Sequence, residues 1–415
     1  MFYIAGENLE TYSISLIKSP IYWVNRKPII GVSEMIFLLA FSFLCLSNLF
    51  ELTVFFYADD MPNAKFKLLL QLMRYGAYFL AVIKLIYDNR HKSKFILGTV
   101  LFASFAMLIV AITTDRTLVF YILIGVAAYN VHPKNLILVS AVSKAFVIVL
   151  TVLLSQMGLL IDYMIDKGIR DRHFLGFGWT TTAPILFLFF ILEYIYIREG
   201  RLRLVEYIVL LVPSCFFYVF TDSRFAFLIS ILVLVFFFLF SEQIRHGYLE
   251  RPFKALFVLL PELIALFAIC IHLFYNEDNR IWRKLNSLLT RRLEIGHRVA
   301  AKYGIELLGN KIKWVGNGIE IINTSKYNYI DSSYLRILIH WGVLMFLAIL
   351  VLYSLMIKWS IESERYYVVW IMFFALMLCV TEPRLVDLSF NSLILLILPI
   401  AYYRKRPPKK VIYTL

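Results

Sequence analysis

The sequence predicts an all-α, polytopic integral membrane protein, and three observations carry that expectation. The 415-residue chain is 61% apolar, with a mean hydropathy of +0.76, outside the range of ordinary soluble domains. Apolar runs of about 18 to 24 residues, the length a helix needs to cross a bilayer, recur from end to end. The Lys and Arg of the short connecting segments divide very unevenly between the two sides that such spans define, 20 against 5, as the positive-inside rule requires.

About twelve spans follow from these runs, over residues 29–50, 67–87, 95–112, 117–131, 136–158, 182–197, 204–220, 225–241, 255–274, 334–357, 367–381 and 389–403. Residues 1–28 are polar and interrupted by Pro20 and Pro28, so they read as a cytoplasmic N-terminal segment and not as a cleavable signal peptide. Residues 29–403 form the transmembrane domain, and 404–415 a basic tail. The more basic side holds both termini, which places them in the cytoplasm.

The four cysteines (Cys45, Cys215, Cys270 and Cys379) lie inside apolar runs and read as buried packing residues. No CxxC, HExxH, P-loop or dinucleotide fingerprint occurs, so ATP-driven transport, a cofactor and a metal have no support. Asp59 and Asp60 form an acidic pair without the third oxygen-rich segment that a cation site needs. No sequence repeat relates the two halves, as it does in many transporters. Five charges fall inside expected spans: Arg74, Lys144, Glu193, Glu206 and Glu262. Pairing among themselves is the expected account of them.

Two outer segments carry more cations than topology explains. Residues 159–181 hold Lys167, Arg170 and Arg172, and residues 275–333 hold ten Lys and Arg against six Asp and Glu. A negatively charged ligand at the outer face is the simplest reason for them. Leu288, Leu289, Leu293, Ile295, Val299, Ala300, Tyr303 and Ile305 recur at helical spacing. The larger segment is therefore expected to fold as one or two amphipathic helices between Asn286 and Leu308, lying between spans nine and ten.

Arginine suits pyrophosphate because its planar fork donates two parallel hydrogen bonds and stays charged at any biological pH. Arg172, Arg224, Arg291 and Arg292 stand at outer span ends or in the folded loop. Arg224 lies in the tight turn TDSR, where its charge is expected to have little room to reach bulk water; interface snorkelling is the plainer alternative. Thr180, Thr181 or Thr182 can cap the following helix, and that helix N-terminus can also face an anion. Asp331 is either a helix cap or a carboxylate that takes a proton from a sugar hydroxyl. His297 and His340 are weaker base candidates.

The pieces HFLGFGWTT (173–181), TDSRFAFL (221–228), NSLLTRRL (286–293), WVGNG (314–318) and IDSSYLRILIHWG (330–342) together resemble the Wzy-type polysaccharide polymerases, which share a superfamily with the O-antigen ligases. The resemblance spans roughly residues 165–345 and the twelve-span layout. The loop motif of that family usually reads Thr-Gly-Arg, whereas Arg291 here takes the glycine's place; Trp179-Thr180 stand where the family commonly runs on to an asparagine. Ligases tend to carry a histidine where this chain has Asp331, which favours polymerase.

The resemblance implies a metal-independent glycosyltransferase in a bacterial cytoplasmic membrane, acting at the outer face in capsule, exopolysaccharide or O-antigen synthesis. It would transfer a growing glycan from undecaprenyl pyrophosphate onto a lipid-linked oligosaccharide repeat unit. Asp331, Arg292 and Arg224 would be catalytic, with Arg172, Arg291, His297 and Tyr334 binding pyrophosphate or glycan. Implied partners are membrane lipid, and a chain-length regulator and flippase of the same pathway, with no nucleic acid. A ligase-like glycan transferase, and a lipid-linked oligosaccharide flippase or transporter, are the alternatives.

Overall fold

A computed structural model describes residues 31–57, 61–89, 93–165, 171–248, 250–316 and 328–404. The N-terminal segment, Asp59 and Asp60, Lys167 and Arg170, the end of the WVGNG stretch and the basic tail beyond Arg404 lie outside the described residues. The described chain from Val32 onward forms one compact unit, almost wholly helical.

The first half contains α1 (Val32–Phe50), the short α2 (Val54–Tyr57), α3 (Met61–Asn89), α4 (Ser93–Thr113), α5 (Thr117–Ala127) and α6 (Pro133–Gln156). A two-stranded hairpin, β1 (Met164–Ile165) with β2 (Arg172–His173), then leads to α7 (Thr182–Ile197), α8 (Leu204–Thr221) and α9 (Arg224–His246). The second half continues with α10 (Lys254–Val258), α11 (Leu260–Leu273), α12 (Arg280–Leu288), α13 (Arg292–Tyr303), α14 (Ser333–His340), α15 (Gly342–Glu362) and α16 (Tyr366–Leu378). A 3-10 turn at Ser392–Leu396 runs into α17 (Ile397–Arg404).

Among the described residues the expected spans overlap apolar helices, two of them divided between two helices. Six helices among the described residues are long and apolar enough to cross a membrane: Val32–Phe50, Ala64–Asp88, Pro133–Gln156, Leu204–Thr221, Arg224–His246 and Gly342–Glu362. The other apolar helices are shorter, and two of them, α7 and α16, are apolar on all sides. A helix without a polar face belongs in an interior, and both are buried along most of their length against α6, α8, α9 and α15. The long helices do the opposite. On α3, Leu68, Leu72, Tyr75, Phe79, Val82 and Ile86 form an exposed apolar stripe, the kind of surface that meets lipid or an apolar partner.

The charges inside the helices have partners. Arg74 pairs with Glu51, and Lys144 pairs with Glu193, whose carboxylate also accepts from Ser140 and Ser392. Glu206 meets Arg198 at 3.0 Å, and Glu262 accepts from Ser354 at 2.7 Å.

Two expected spans are broken. The stretch 255–274 divides into α10 and α11 around Leu259, just before Pro261, whose ring cannot continue a helix from the preceding turn. The stretch 334–357 divides at Trp341, because Gly342 takes φ +83°, a left-handed conformation that glycine alone adopts freely. Both breaks sit in the same half of the chain, so they do not form the one-per-half pattern of repeat-built transporters.

The second break is where the 304–310 stretch of the long loop is grafted on. Asn310 N–H donates to the His340 carbonyl at 3.1 Å, and Val343 N–H donates to the Glu306 carbonyl at 3.1 Å. A Cβ on Gly342 would stand 2.4 Å from the Gly309 nitrogen and 2.5 Å from the Leu307 oxygen. Gly342→Ala therefore combines left-handed strain, about 1–3 kcal/mol, with backbone overlap. It is expected to lower the thermal unfolding temperature of the purified protein clearly, whereas Ala at the open Gly98 is not.

Candidate active site

The hairpin aims the first cation. Asp162 accepts from the Phe174 and Leu175 amides at 3.0 and 2.7 Å and meets His173 Nδ1 at 2.6 Å. Leu175 and Gly176 both take positive φ, and a Cβ on Gly176 would crowd Thr151 at 3.0 Å. The turn thus lies directly on α6. It is also tied to the segment after α1 by Val54 N–H to the Gly176 carbonyl at 2.9 Å and Gly178 N–H to the Leu52 carbonyl at 2.8 Å. Arg172, on β2, is fixed by this frame and donates from Nε to the carbonyl of Thr221, the last residue of α8, at 2.8 Å.

Burial pulls the Arg172 guanidinium below its ordinary value; Asp222 opposes this, while Arg292 and Arg224 add to it. Those last two are like charges close enough to be felt: Arg172 and Arg224 both meet the Thr221–Asp222 turn, and Arg292 acts on Arg172 from α13. Arg172 nevertheless stays charged at any biological pH.

Arg292 opens α13 and reaches across to the segment between α16 and the 3-10 turn. Its Nη1 donates to the Thr381 carbonyl and meets Glu382 at 3.0 Å, while its Nε lies 3.4 Å from Asp331. Glu382 is buried; burial pushes its carboxyl up, Arg292 pulls it down, and Asp331 pushes it up again. The frame behind this group is tight. Ser333 donates to the Glu382 carbonyl at 2.6 Å and accepts from the Leu385 amide at 3.0 Å. Arg384 pairs with Asp387 at 2.8 Å, and the Tyr353 hydroxyl donates to the Leu385 carbonyl at 2.8 Å.

Several expectations are corrected here. The cap position of α14 is Ser332, without a side-chain cap bond, and Asp331 instead sends its carboxylate to Arg292. Thr181 holds the cap position of α7, again without a side-chain bond, and the Thr180 hydroxyl is buried and unpartnered. Arg224 is 79% exposed and pairs with Asp222 at 3.3 Å, so it sits on the open rim of the cluster and not in a confined turn. Arg291 points elsewhere. Thr290 and Arg291 take φ +52° and +65°, the conformation a glycine would supply, and the turn sends Arg291 to Glu294 at 2.8 Å on an exposed hollow away from Arg292.

Tyr334 is fully buried and donates to the Leu376 carbonyl at 2.9 Å, which makes it a core residue. His297 leans on the His272 carbonyl at 3.1 Å, on the face of α13 that packs against α11. The helices of the outer segment also differ from expectation: the first starts earlier, at Arg280, and the second ends at Tyr303, before Gly304 turns the chain.

His340 is taken up elsewhere: its Nε2 meets Asp115 at 3.2 Å, and the Trp341 indole donates to the same oxygen at 3.1 Å. Burial would raise the Asp115 carboxyl, but the bonds from His340, Thr117 and Trp341 outweigh it and hold it well below the usual carboxylate range. A carboxyl depressed below its unfolded value of about 3.9 stabilises fully above that pH, and the gain is lost as pH falls through the folded value. Asp115→Asn is thus expected to cost about 1–3 kcal/mol at neutral pH by thermal unfolding. The gap to the parent should persist down to about pH 4 and narrow only below it.

Glu382, Asp222 and Asp162 were not singled out in the sequence. The signal was available for Glu382, since TEPRLVD (381–387) is a charged stretch between two apolar runs. Among the described residues, no three His, Cys, Asp or Glu side chains converge to hold a metal ion. What the arrangement offers chemically is two part-buried guanidinium groups, Arg172 and Arg292, whose charges act on each other, with the exposed Arg224 at the same turn as Arg172 and Asp331 beside Arg292. No family model, no curated protein and no solved structure matches this chain.

Proposed function

We propose that this protein is a polysaccharide polymerase of the Wzy type, with about twelve membrane crossings and its arginine cluster at the outer face of a bacterial cytoplasmic membrane. The observation that carries the reading is that Arg172 and Arg224 meet at the Thr221–Asp222 turn, with the carboxylate-held Arg292 near enough for its charge to act on Arg172. Three guanidinium groups brought together against their mutual repulsion favour a ligand with more than one negative charge, and a lipid pyrophosphate is such a ligand.

In the reaction, a hydroxyl oxygen of the lipid-linked acceptor attacks the anomeric carbon of the donor glycan. The bond from that carbon to the pyrophosphate oxygen breaks, and its electron pair leaves with undecaprenyl pyrophosphate. Arg172, Arg224 and Arg292 stabilise the charge that grows on the leaving group, an effect that counts only as the bond breaks. Asp331 accepts the proton of the attacking hydroxyl. Glu382 and the Thr381 carbonyl hold Arg292 from behind, so little reorganisation is needed during the reaction.

Two experiments test this reading. Deleting the gene and sizing surface glycan separates the classes: a lost polymerase leaves single repeat units, a lost flippase leaves none outside, and a lost ligase leaves lipid-linked polymer. Topology is tested by a cysteine at the exposed Asp278, which an impermeant maleimide is expected to label on intact spheroplasts. Labelling only after lysis would sink the topology and the function with it.

A further inference from the structure

Helix α12 stands apart from the site. It follows the membrane helix α11 after a six-residue turn, packs chiefly against α13, and turns a single buried side chain, Asn286, toward the protein. Its outer surface is unusual for a loop helix. Ile281 is 77% exposed and Leu288 is 73% exposed, and Phe274 at the preceding helix end is 69% exposed. Ile281, Lys284 and Leu288 are spaced i, i+3 and i+7, so they form one stripe, apolar, basic, apolar. Arg280 and Arg283, also exposed, flank it.

Large apolar side chains left uncovered on a soluble surface are unfavourable, and an aqueous loop gains nothing from them. A helix that mixes exposed Ile and Leu with Lys and Arg has the composition of one that lies in the membrane interface. There the apolar side chains enter the acyl boundary while the cations reach phosphate. The distance along the chain agrees, because only six residues separate α12 from the end of the apolar helix α11.

We propose that α12 is a membrane-surface helix that seats the outer loop on anionic phospholipid headgroups, with Ile281 and Leu288 inserted and Arg280, Arg283 and Lys284 on phosphate. The partner is the bilayer surface, through its negative charge. This role requires only that the protein lie in a membrane, and it stands whether or not the polymerase reading does.

The test uses the full chain in nanodiscs. An environment-sensitive thiol probe is placed at Ile281→Cys, Leu288→Cys or Ser287→Cys, in a background with the accessible Cys215 and Cys270 changed to Ser. Nanodiscs of brominated phosphatidylcholine are expected to quench the probe strongly at 281 and 288 but not at 287, which iodide should quench instead. Adding phosphatidylglycerol should deepen quenching at 281 and 288. Changing Arg280, Arg283 and Lys284 together to Ala should abolish that response, since each cation near an anionic surface contributes about fivefold in binding. Iodide quenching at 281 and 288 without lipid quenching overturns the proposal. So does protection from both quenchers, which would mean that a second copy covers the helix, and so does lipid quenching that ignores phosphatidylglycerol.

Discussion

Arg292→Lys is expected to abolish polymer while leaving the protein in the membrane at near-normal amount. The guanidinium of Arg292 spans two carboxylates, with Nε 3.4 Å from Asp331 and Nη1 3.0 Å from Glu382. A lysine nitrogen is a single point and holds one of them at most. Removing one positioned donor from a developing oxyanion typically costs about two to three orders of magnitude in rate. Stability should suffer less, by about 1–3 kcal/mol, because the charge remains and only part of the pairing is lost. The measurement is polymer formed from purified lipid-linked repeat units, set against thermal unfolding of the same preparation. Near-normal polymer would make Arg292 a strut that joins α13 to the 381–387 segment, with no part in the chemistry.

Asp331→Asn is expected to slow polymerisation at least about a hundredfold, the lower end of what general-base assistance supplies. Because Ser332 occupies the cap position of α14, the substitution does not disturb the helix start, and the similar shape of Asn preserves packing. What it removes is the negative charge beside Arg292 and the ability to take a proton. Asp331→Glu separates these two losses, since it retains a carboxylate at a displaced position. A base tolerates that displacement poorly, whereas a flexible ion pair tolerates it well. Equal activity in Asp331→Asn and the parent would leave Glu382 as the next candidate base.

The arginines were legible in the sequence because a charge stands out in an apolar chain. Arg172, Arg224 and Arg292 could be chosen without a structure, but the carboxylates that hold Arg292 could not. Glu382 lies 90 residues from it, and a glutamate in a short loop looks like any solvated charge until folding buries it. Adjacent residues also mislead. Arg291 and Arg292 are neighbours in sequence, and only the left-handed turn at Thr290–Arg291 shows that they diverge. Tyr334 beside Asp331 looked available to a ligand, yet α14 turns it inward to the Leu376 carbonyl. The helix breaks escaped for a different reason. Hydropathy averages over a window, and Trp341-Gly342 is too short an interruption to register in an apolar run.

The graft of the outer loop onto Gly342 also dictates an order of assembly. The chain emerges from the ribosome N-terminus first, so residues 275–310 are made and delivered before Gly342 exists. Their closest backbone partners, the His340 carbonyl and the Val343 and Leu344 amides, arrive only with the next helix pair. Asp115, which meets His340 and the Trp341 indole beside this graft, is by then already in place. During biogenesis the loop must therefore wait, unclosed, until α14 and α15 have both been synthesised. That interval is when a protease would cut a nascent chain it cannot cut once the protein is finished.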